Sequence, residues 1–286
     1  MSRFSENVDL SLNFKNLKRI DQRKSGYQDA NIYIHPLLGK ILILNKEVHH
    51  VEKWAPLYHE MVVHLPVASI PTVKNVLILG GGSLFAAEEI LKYKSVNYVL
   101  LIDHDYTVID IIEKNYKHAK KVLNDRRFKL LIDDAFSYIS SNDKKFDLIV
   151  NDSIDLVEMG KKRHSNLLDK LCNNLTSVGV CSDVVYRNIF ERKTTQKTIN
   201  MLKSKYNSSF SLITVPEYPG IFHILCLWSK NNKYITIKKI YNKLQKEWIN
   251  IQDQSNLSFK FYNPKFIDFY KYLPPYLNEV LNKQIS

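Results

Sequence analysis

The sequence predicts an α/β chain: a mostly parallel sheet with helices on both faces, preceded by a small N-terminal β-rich domain. Three observations predict it. Short, fully apolar runs such as Val76–Leu79 (VLIL) read as strands buried on both faces. Between these runs lie stretches whose apolar residues recur at helical spacing, and strand alternating with helix implies a parallel sheet covered on both sides. The first 66 residues lack this alternation and show short paired runs instead. The expected division is therefore 1–66 for the β-rich domain and 67–286 for the larger one.

Taken in order, Asn31–Ile34 and Lys40–Leu44 read as strands joined through a Pro36–Gly39 turn. Tyr58–Leu65 (YHEMVVHL) has helical apolar spacing, and Pro66 and Pro71 bracket a linker. Strand Val76–Leu79 runs into Gly80-Gly81-Gly82, followed by a helix over Leu84–Tyr93, a strand over Tyr98–Ile102 and one long helix over Thr107–Val122. Phe128–Ile132, Leu148–Val150, Val180–Val185, Phe210–Val215 and Phe222–Trp228 repeat the strand signal. The C-terminal part reads as helical over Ile237–Trp248, Pro264–Tyr272 and Pro275–Lys283.

With 286 residues, 45% of them apolar, the chain can bury a sizeable core. No apolar run reaches bilayer length, and the start shows no secretory pattern, so no membrane association and a cytoplasmic location are expected. Cys172, Cys181 and Cys226 are too few and too scattered for a disulfide framework or a zinc site, so no metal is expected. The net charge of +12 comes from lysines spread along the chain, which suits a solvated surface better than a nucleic-acid stripe. Against this background, residues 133–158 hold seven acids and two lysines, a stretch suited to a cation.

The chain has only eight glycines, and three stand together after the first core strand. Without side chains, Gly80, Gly81 and Gly82 permit a sharp turn and a close ligand approach. A tight strand-to-helix turn with no ligand has the same appearance. Asp103 ends the next strand, where such folds place a carboxylate for ribose hydroxyls, and Asp134-Ala135 follow the third, near an adenine edge. All lie at carboxyl ends of strands, the ligand face of an open parallel sheet. Phe85 stands where a dinucleotide fingerprint needs its third Gly, and no phosphate-loop Gly-Lys-Ser/Thr is present. An adenosine ligand without phosphates fits better.

Asp152-Ser153-Ile154-Asp155 follows another core strand on the same face. One carboxylate can hold an ammonium while the other accepts a proton from an attacking amine. The spacing equally suits an Asx turn or a helix cap.

From about Tyr27 to Pro274 the chain resembles the spermidine synthase family of polyamine aminopropyltransferases. The resemblance rests on Tyr27-Gln28, Tyr58-His59-Glu60-Met61 with His64-Leu65-Pro66, Val76–Gly82 (VLILGGG), Asp103-His104-Asp105, Asp134-Ala135-Phe136, Asp152–Asp155, Thr214–Gly220 (TVPEYPG) and Tyr262-Asn263. It implies a Rossmann-like, class I methyltransferase-type domain. It also implies decarboxylated S-adenosylmethionine as co-substrate, with no permanently bound cofactor, and a small amine such as putrescine as acceptor. By position, Gln28, Asp103, Asp134 and Ala135 would hold the donor's adenosine beside the glycines. Asp152 would be the base, and Tyr58, Asp155, Tyr218 and Tyr262 would line the acceptor channel. A homodimer or homotetramer is implied through the N-terminal β segment. The family's Gly-Gly-Gly-Asp-Gly-Gly is here Gly-Gly-Gly-Ser-Leu-Phe, and its lid sequence is replaced over Leu156–Lys162. Ser83 in place of Asp keeps two alternatives open: an amine methyltransferase using intact S-adenosylmethionine, and a family member without catalysis.

Overall fold

The computed structural model describes residues 2–5, 11–152, 161–185, 192–218, 223–232, 259–270, 273 and 275. Asp155, the predicted helix Ile237–Trp248 and most of Pro275–Lys283 lie outside the described residues.

The N-terminal region opens with a two-stranded ribbon, β1 (Ser2–Ser5) and β2 (Ser11–Phe14). Four antiparallel strands follow: β3 (Lys18–Lys24), β4 (Asp29–His35), β5 (Gly39–Leu44) and β6 (Glu47–Val51). The β4–β5 hairpin is the predicted one, and Gly39 takes the left-handed conformation its turn requires, at φ 75°. Strand β3 (KRIDQRK) lacks apolar alternation because it is a largely exposed edge, where charge discourages pairing with other chains.

Helix α1 (Ala55–Val67) leads into the larger sheet. That sheet is built from β7 (Asn75–Gly80), β8 (Tyr98–Asp103), β9 (Phe128–Ile132), β10 (Phe146–Asp152), β11 (Leu175–Val185), β12 (Asn207–Ile213) and β13 (His223–Ser229). Its order is β12-β13-β11-β10-β7-β8-β9. Neighbours from β11 to β9 are parallel, and β13 runs antiparallel to both β11 and β12. Helices α2 (Phe85–Leu91), α3 (Tyr106–Asn115), α4 (Lys117–Leu123), α5 (Ala135–Ser141), α6 (Lys161–Asn173) and α7 (Arg192–Lys205) connect the strands. A short α8 (Ile267–Tyr270) follows a 3-10 turn at Pro264–Phe266.

Both faces of the central strands are apolar because both are covered. Val76, Ile78, Val99 and Leu101 enter one core with α1, α2 and α3. Leu77, Leu79, Leu100 and Ile102 point the other way into a second core with α6 and α7. This is the two-residue pleat of a strand buried on both sides. At the sheet's other end Asp147 accepts from the backbone N–H groups of Lys74 (2.9 Å) and Asn75 (3.0 Å) and from Thr176 Oγ1 (3.0 Å). One carboxylate thus ties β7, β10 and β11 together where they start.

The single predicted helix Thr107–Val122 is two helices. Tyr116 breaks it with extended backbone at φ −120°, ψ 129°. Asn115 ends α3 by donating to the Ile111 carbonyl (2.8 Å) and to Asp21 Oδ2 (2.9 Å), and the Tyr116 ring turns inward, buried. Tertiary contacts outweigh an uninterrupted helical pattern here.

Candidate active site

The sheet places β8 on one side of β7 and β10 on the other, so three strand ends converge where the glycines lie. Gly80 and Gly81 have positive φ, 72° and 74°. Gly81's missing Cβ would stand 3.0 Å from Asp152 Oδ2, and Gly82's would stand 2.9 Å from Asp103 Oδ2. The loop therefore passes close against two carboxylates, one from each flanking strand. Any side chain at Gly82 would displace a carboxylate oxygen, which accounts for two of these glycines without appeal to a ligand. Leu84 also takes the left-handed conformation, φ 63°, at the start of α2, and its N–H closes a turn on the Gly81 carbonyl at 2.8 Å.

Asp103 is buried and accepts from the Asp105 N–H at 3.0 Å. Burial raises its pKa, while the N–H groups of Asp105 and Gly82 and the nearby His104 oppose the rise. Asp105 caps α3, accepting from Thr107 N–H at 2.9 Å, and its other oxygen accepts from Ser25 Oγ at 2.7 Å. Ser25 Oγ in turn accepts from the N–H groups of Tyr27 and Gln28, both at 3.0 Å. Tyr27 sets its ring edge-on to His104 at 5.1 Å. These contacts bring Gln28 from the small sheet to the Asp103 corner, 75 positions away in sequence. An Arg23–Asp110 ion pair (3.0 Å) fixes the same sheet to α3.

Asp152 is half-buried at the end of β10. Burial pushes its pKa up to about 6, against the lowering effect of the Tyr58 hydroxyl, and the Asp103 charge adds to the rise. Tyr58 on α1 donates to Asp152 Oδ1 at 2.7 Å. Burial raises the phenol's own pKa well above its ordinary value, and Asp152, Asp183 and Tyr218 add to it through their charge. Tyr58, Asp152, Asp183 and Tyr218 thus form one electrostatic neighbourhood. Asp183, buried near the end of β11, accepts from Asn151 Nδ2 at 2.7 Å.

The remaining sequence candidates are placed as follows. Asp134 is exposed and caps α5, its Oδ1 accepting from the Ser137 N–H at 2.7 Å. Ala135 is half-buried at the first position of α5. Tyr262 is 2% exposed, its ring stacked on Tyr270 at 5.5 Å and near His64 at 5.6 Å. Tyr218 is half-buried, 5.5 Å from the His223 ring.

Three contributors were missed by sequence reasoning. Asp183 lies inside β11 with Val184 and Val185 after it, so it carries no strand-end signal of the kind that marks Asp103. Glu60 is buried and accepts from three successive N–H groups: Lys260 (2.9 Å), Phe261 (2.7 Å) and Tyr262 (2.7 Å). No local pattern reveals a clamp between residues 200 positions apart. The third is His118, whose Nε2 lies 2.8 Å from the Ser83 carbonyl.

Glu217 is buried, and burial pushes its pKa up to about 7. It accepts from the Val51 N–H at 3.2 Å, joining the loop before Tyr218 to β6.

Comparison with known proteins places the fold and the family. Residues 55–239 match the model of the spermine/spermidine synthase domain. The polyamine aminopropyltransferase of Buchnera aphidicola subsp. Acyrthosiphon pisum is 30% identical over 271 residues, covering 93% of this chain and 92% of that protein. Putrescine N-methyltransferase 4 of Nicotiana tabacum is 35% identical over 124 residues, 43% of this chain and 32% of that one. Among solved structures, spermidine synthase in complex with the transition state analogue AdoDATO superposes with a TM-score of 0.80 at 23% identity, covering 96% of this chain and 91% of that one. Spermidine synthase from Thermotoga maritima gives 0.76 at 23% identity, with 92% and 87% covered. The two structures show a shared fold, and the family model and the near full-length relative show that the chain belongs to the spermine/spermidine synthase family, the aminopropyltransferases.

Proposed function

We propose that this transferase moves the aminopropyl group of decarboxylated S-adenosylmethionine to a small diamine of the putrescine type, with Asp152 as the base. The observation that carries the reading is the Asp152 environment: a half-buried carboxyl bonded to Tyr58 and packed against the glycine loop. An alkylammonium holds its proton with a pKa near 10, so an ordinary carboxylate is a poor acceptor. Raising Asp152 to about 6 narrows that gap while leaving it ionised at neutral pH.

The step is a displacement. The amine gives its proton to Asp152, and its lone pair attacks the aminopropyl carbon next to sulfur. The carbon–sulfur bond breaks with its electrons passing to sulfur, which leaves as neutral methylthioadenosine. The sulfonium is already a good leaving group, so the chain's task is alignment and removal of one proton. Alignment can contribute roughly 7–11 kcal/mol at best.

In this reading Asp103 accepts from the ribose hydroxyls, Gly80–Gly82 and Gln28 border the nucleoside, and Asp134 with Ala135 lies at the adenine. Tyr58, Tyr218, Tyr262 and Asp155 line the acceptor path, where tyrosine faces suit a cation and an alkyl chain. We also propose 1–66 as a β-rich domain and 67–286 as the catalytic domain, with α1 as the joint between them. The small sheet would pair with a copy of itself in a homodimer or homotetramer, and its partly exposed Ile20 and Ile34 suit such a contact. A cytoplasmic location is in keeping with three free, buried cysteines. No helix of the described residues is long and apolar enough to cross a membrane.

A second reading, methyl transfer to an amine from intact S-adenosylmethionine, is favoured by Ser83 and by the partial likeness to putrescine N-methyltransferase. The test offers each donor with a panel of amines and identifies products by mass spectrometry. A product heavier by one aminopropyl unit, with methylthioadenosine, supports the first reading. A methylated amine overturns it in favour of the second.

A further inference from the structure

The glycine loop leaves β7 and enters α2 through Ser83-Leu84-Phe85, three residues that set this chain apart from its family's glycine-rich sequence. Such a loop loses flexibility only where something outside it holds its peptide groups. Two contacts do so. Gly82 lies against Asp103, where a Cβ would stand 2.9 Å from Oδ2. On the next residue, the Ser83 carbonyl lies 2.8 Å from His118 Nε2. A carbonyl can only accept, so Nε2 carries the proton and the tautomer is fixed.

The imidazole is itself held in place. Phe85 packs on it with 3.8 Å between ring centroids, and the same Phe85 stacks on His50 at 4.2 Å and nears His59 at 5.3 Å. The Tyr116 ring, turned inward by the break between α3 and α4, closes the group at 5.6 Å from His118 and 5.9 Å from Phe85. Burial lowers the pKa of all three histidines, so at neutral pH they pack as uncharged rings. The helix break and the bulky Phe85 thus make one device: an aromatic platform that presents a single N–H to the loop.

We infer that His118 is a positioning residue for the nucleoside donor, acting through the Ser83 carbonyl and seated on Phe85. The inference rests on the reading that the glycine loop receives the donor. It predicts an effect on donor binding that a general packing role would not produce, because the amine approaches from the Asp152–Tyr58 side.

The test uses the full-length protein and three variants. His118→Phe keeps a ring on Phe85 and removes the N–H. His118→Gln sets an amide N–H near the place of Nε2. His118→Leu removes both features. Affinity for methylthioadenosine is measured by titration calorimetry, and KM is measured separately for donor and amine. The expected result for His118→Phe is an affinity lower by about 3- to 10-fold, the effect of one neutral hydrogen bond. Its donor KM should rise by a similar factor with the amine KM unchanged, and His118→Gln should recover most of the loss. Wild-type affinity in His118→Phe, equal rises in both KM values, or no recovery in His118→Gln would overturn the inference and leave the function untouched. Should His118→Phe not fold, His118→Leu against His118→Gln is read the same way. Wild-type protein that binds no sulfur nucleoside overturns the functional reading, and this inference with it.

Discussion

Replacing Asp152 by Asn should cut turnover by orders of magnitude and at the same time make the protein more stable. Asn keeps the shape, and its Oδ1 can still accept the 2.7 Å bond from Tyr58. What it removes is the charge. Asp152 sits at about 6 against an ordinary 3.8, so the folded state binds this proton more tightly than the unfolded chain does. The stability from that difference is fully present below about pH 3.8 and is lost as pH rises through about 6. At about pH 7.5 the ionised carboxylate therefore costs the fold on the order of 2–3 kcal/mol, at about 1.4 kcal/mol per pH unit. Asn carries no such cost, so the variant should melt several degrees higher at about pH 7.5. Near pH 4 the wild-type carboxyl is mostly protonated, and the two proteins should converge. Loss of a positioned base should lower turnover by about 10²–10⁴-fold. Calorimetric melting at the two pH values, with product quantified by mass spectrometry, checks both halves. A variant less stable at about pH 7.5, a stability difference unchanged between the two pH values, or turnover near wild type would refute the reasoning.

Further outcomes follow from neighbouring contacts. The activity of the wild type should rise with pH through about 6, as Asp152 ionises. Tyr58→Phe removes the bond that holds that value down, so this acid limb should move up by about one pH unit; a pH–rate profile with an unmoved limb counts against the contact. Gly82→Ala would set a methyl 2.9 Å from Asp103 Oδ2 and 3.1 Å from Val108 Cγ1, so methylthioadenosine affinity should fall at least about tenfold by calorimetry, with the fold retained by circular dichroism. Glu60→Ala leaves three N–H groups of the Tyr262 segment without their acceptor, so denaturant unfolding should report a loss of about 3 kcal/mol or more. Glu60→Gln should lose less, because one amide oxygen still accepts.

Short-range patterns made much of the candidate site legible. Gly80–Gly82, Asp103, Asp134 and Asp152 are each recognisable because a strand's end is recognisable, and a parallel sheet gathers its strand ends on one side. Asp183 lies inside its strand, two residues before the end, and so lacks that mark. The helix break at Tyr116 was not legible, because the apolar spacing runs on through Thr107–Val122 and the groups that take up Asn115, Asp21 and Lys40, lie on distant strands. Edge strand β3 was equally invisible, since exposure on an edge favours charge over alternation.

The sequence by itself determined the architecture and the face of the sheet where strand ends gather, because hydrophobic period and turn chemistry act over a few residues; the candidate catalytic residues came from the likeness of its motifs to a known family. Only the tertiary structure decided that Tyr58 bonds to Asp152, that Ser25 and Asp105 bring Gln28 to Asp103, that Glu60 clamps the Tyr262 segment, and that His118 holds Ser83. Each joins residues far apart in the chain. Such a contact depends on how two packed elements meet in space, which no local pattern encodes. The raised proton affinity of Asp152 has the same origin, for it comes from the burial that packing imposes.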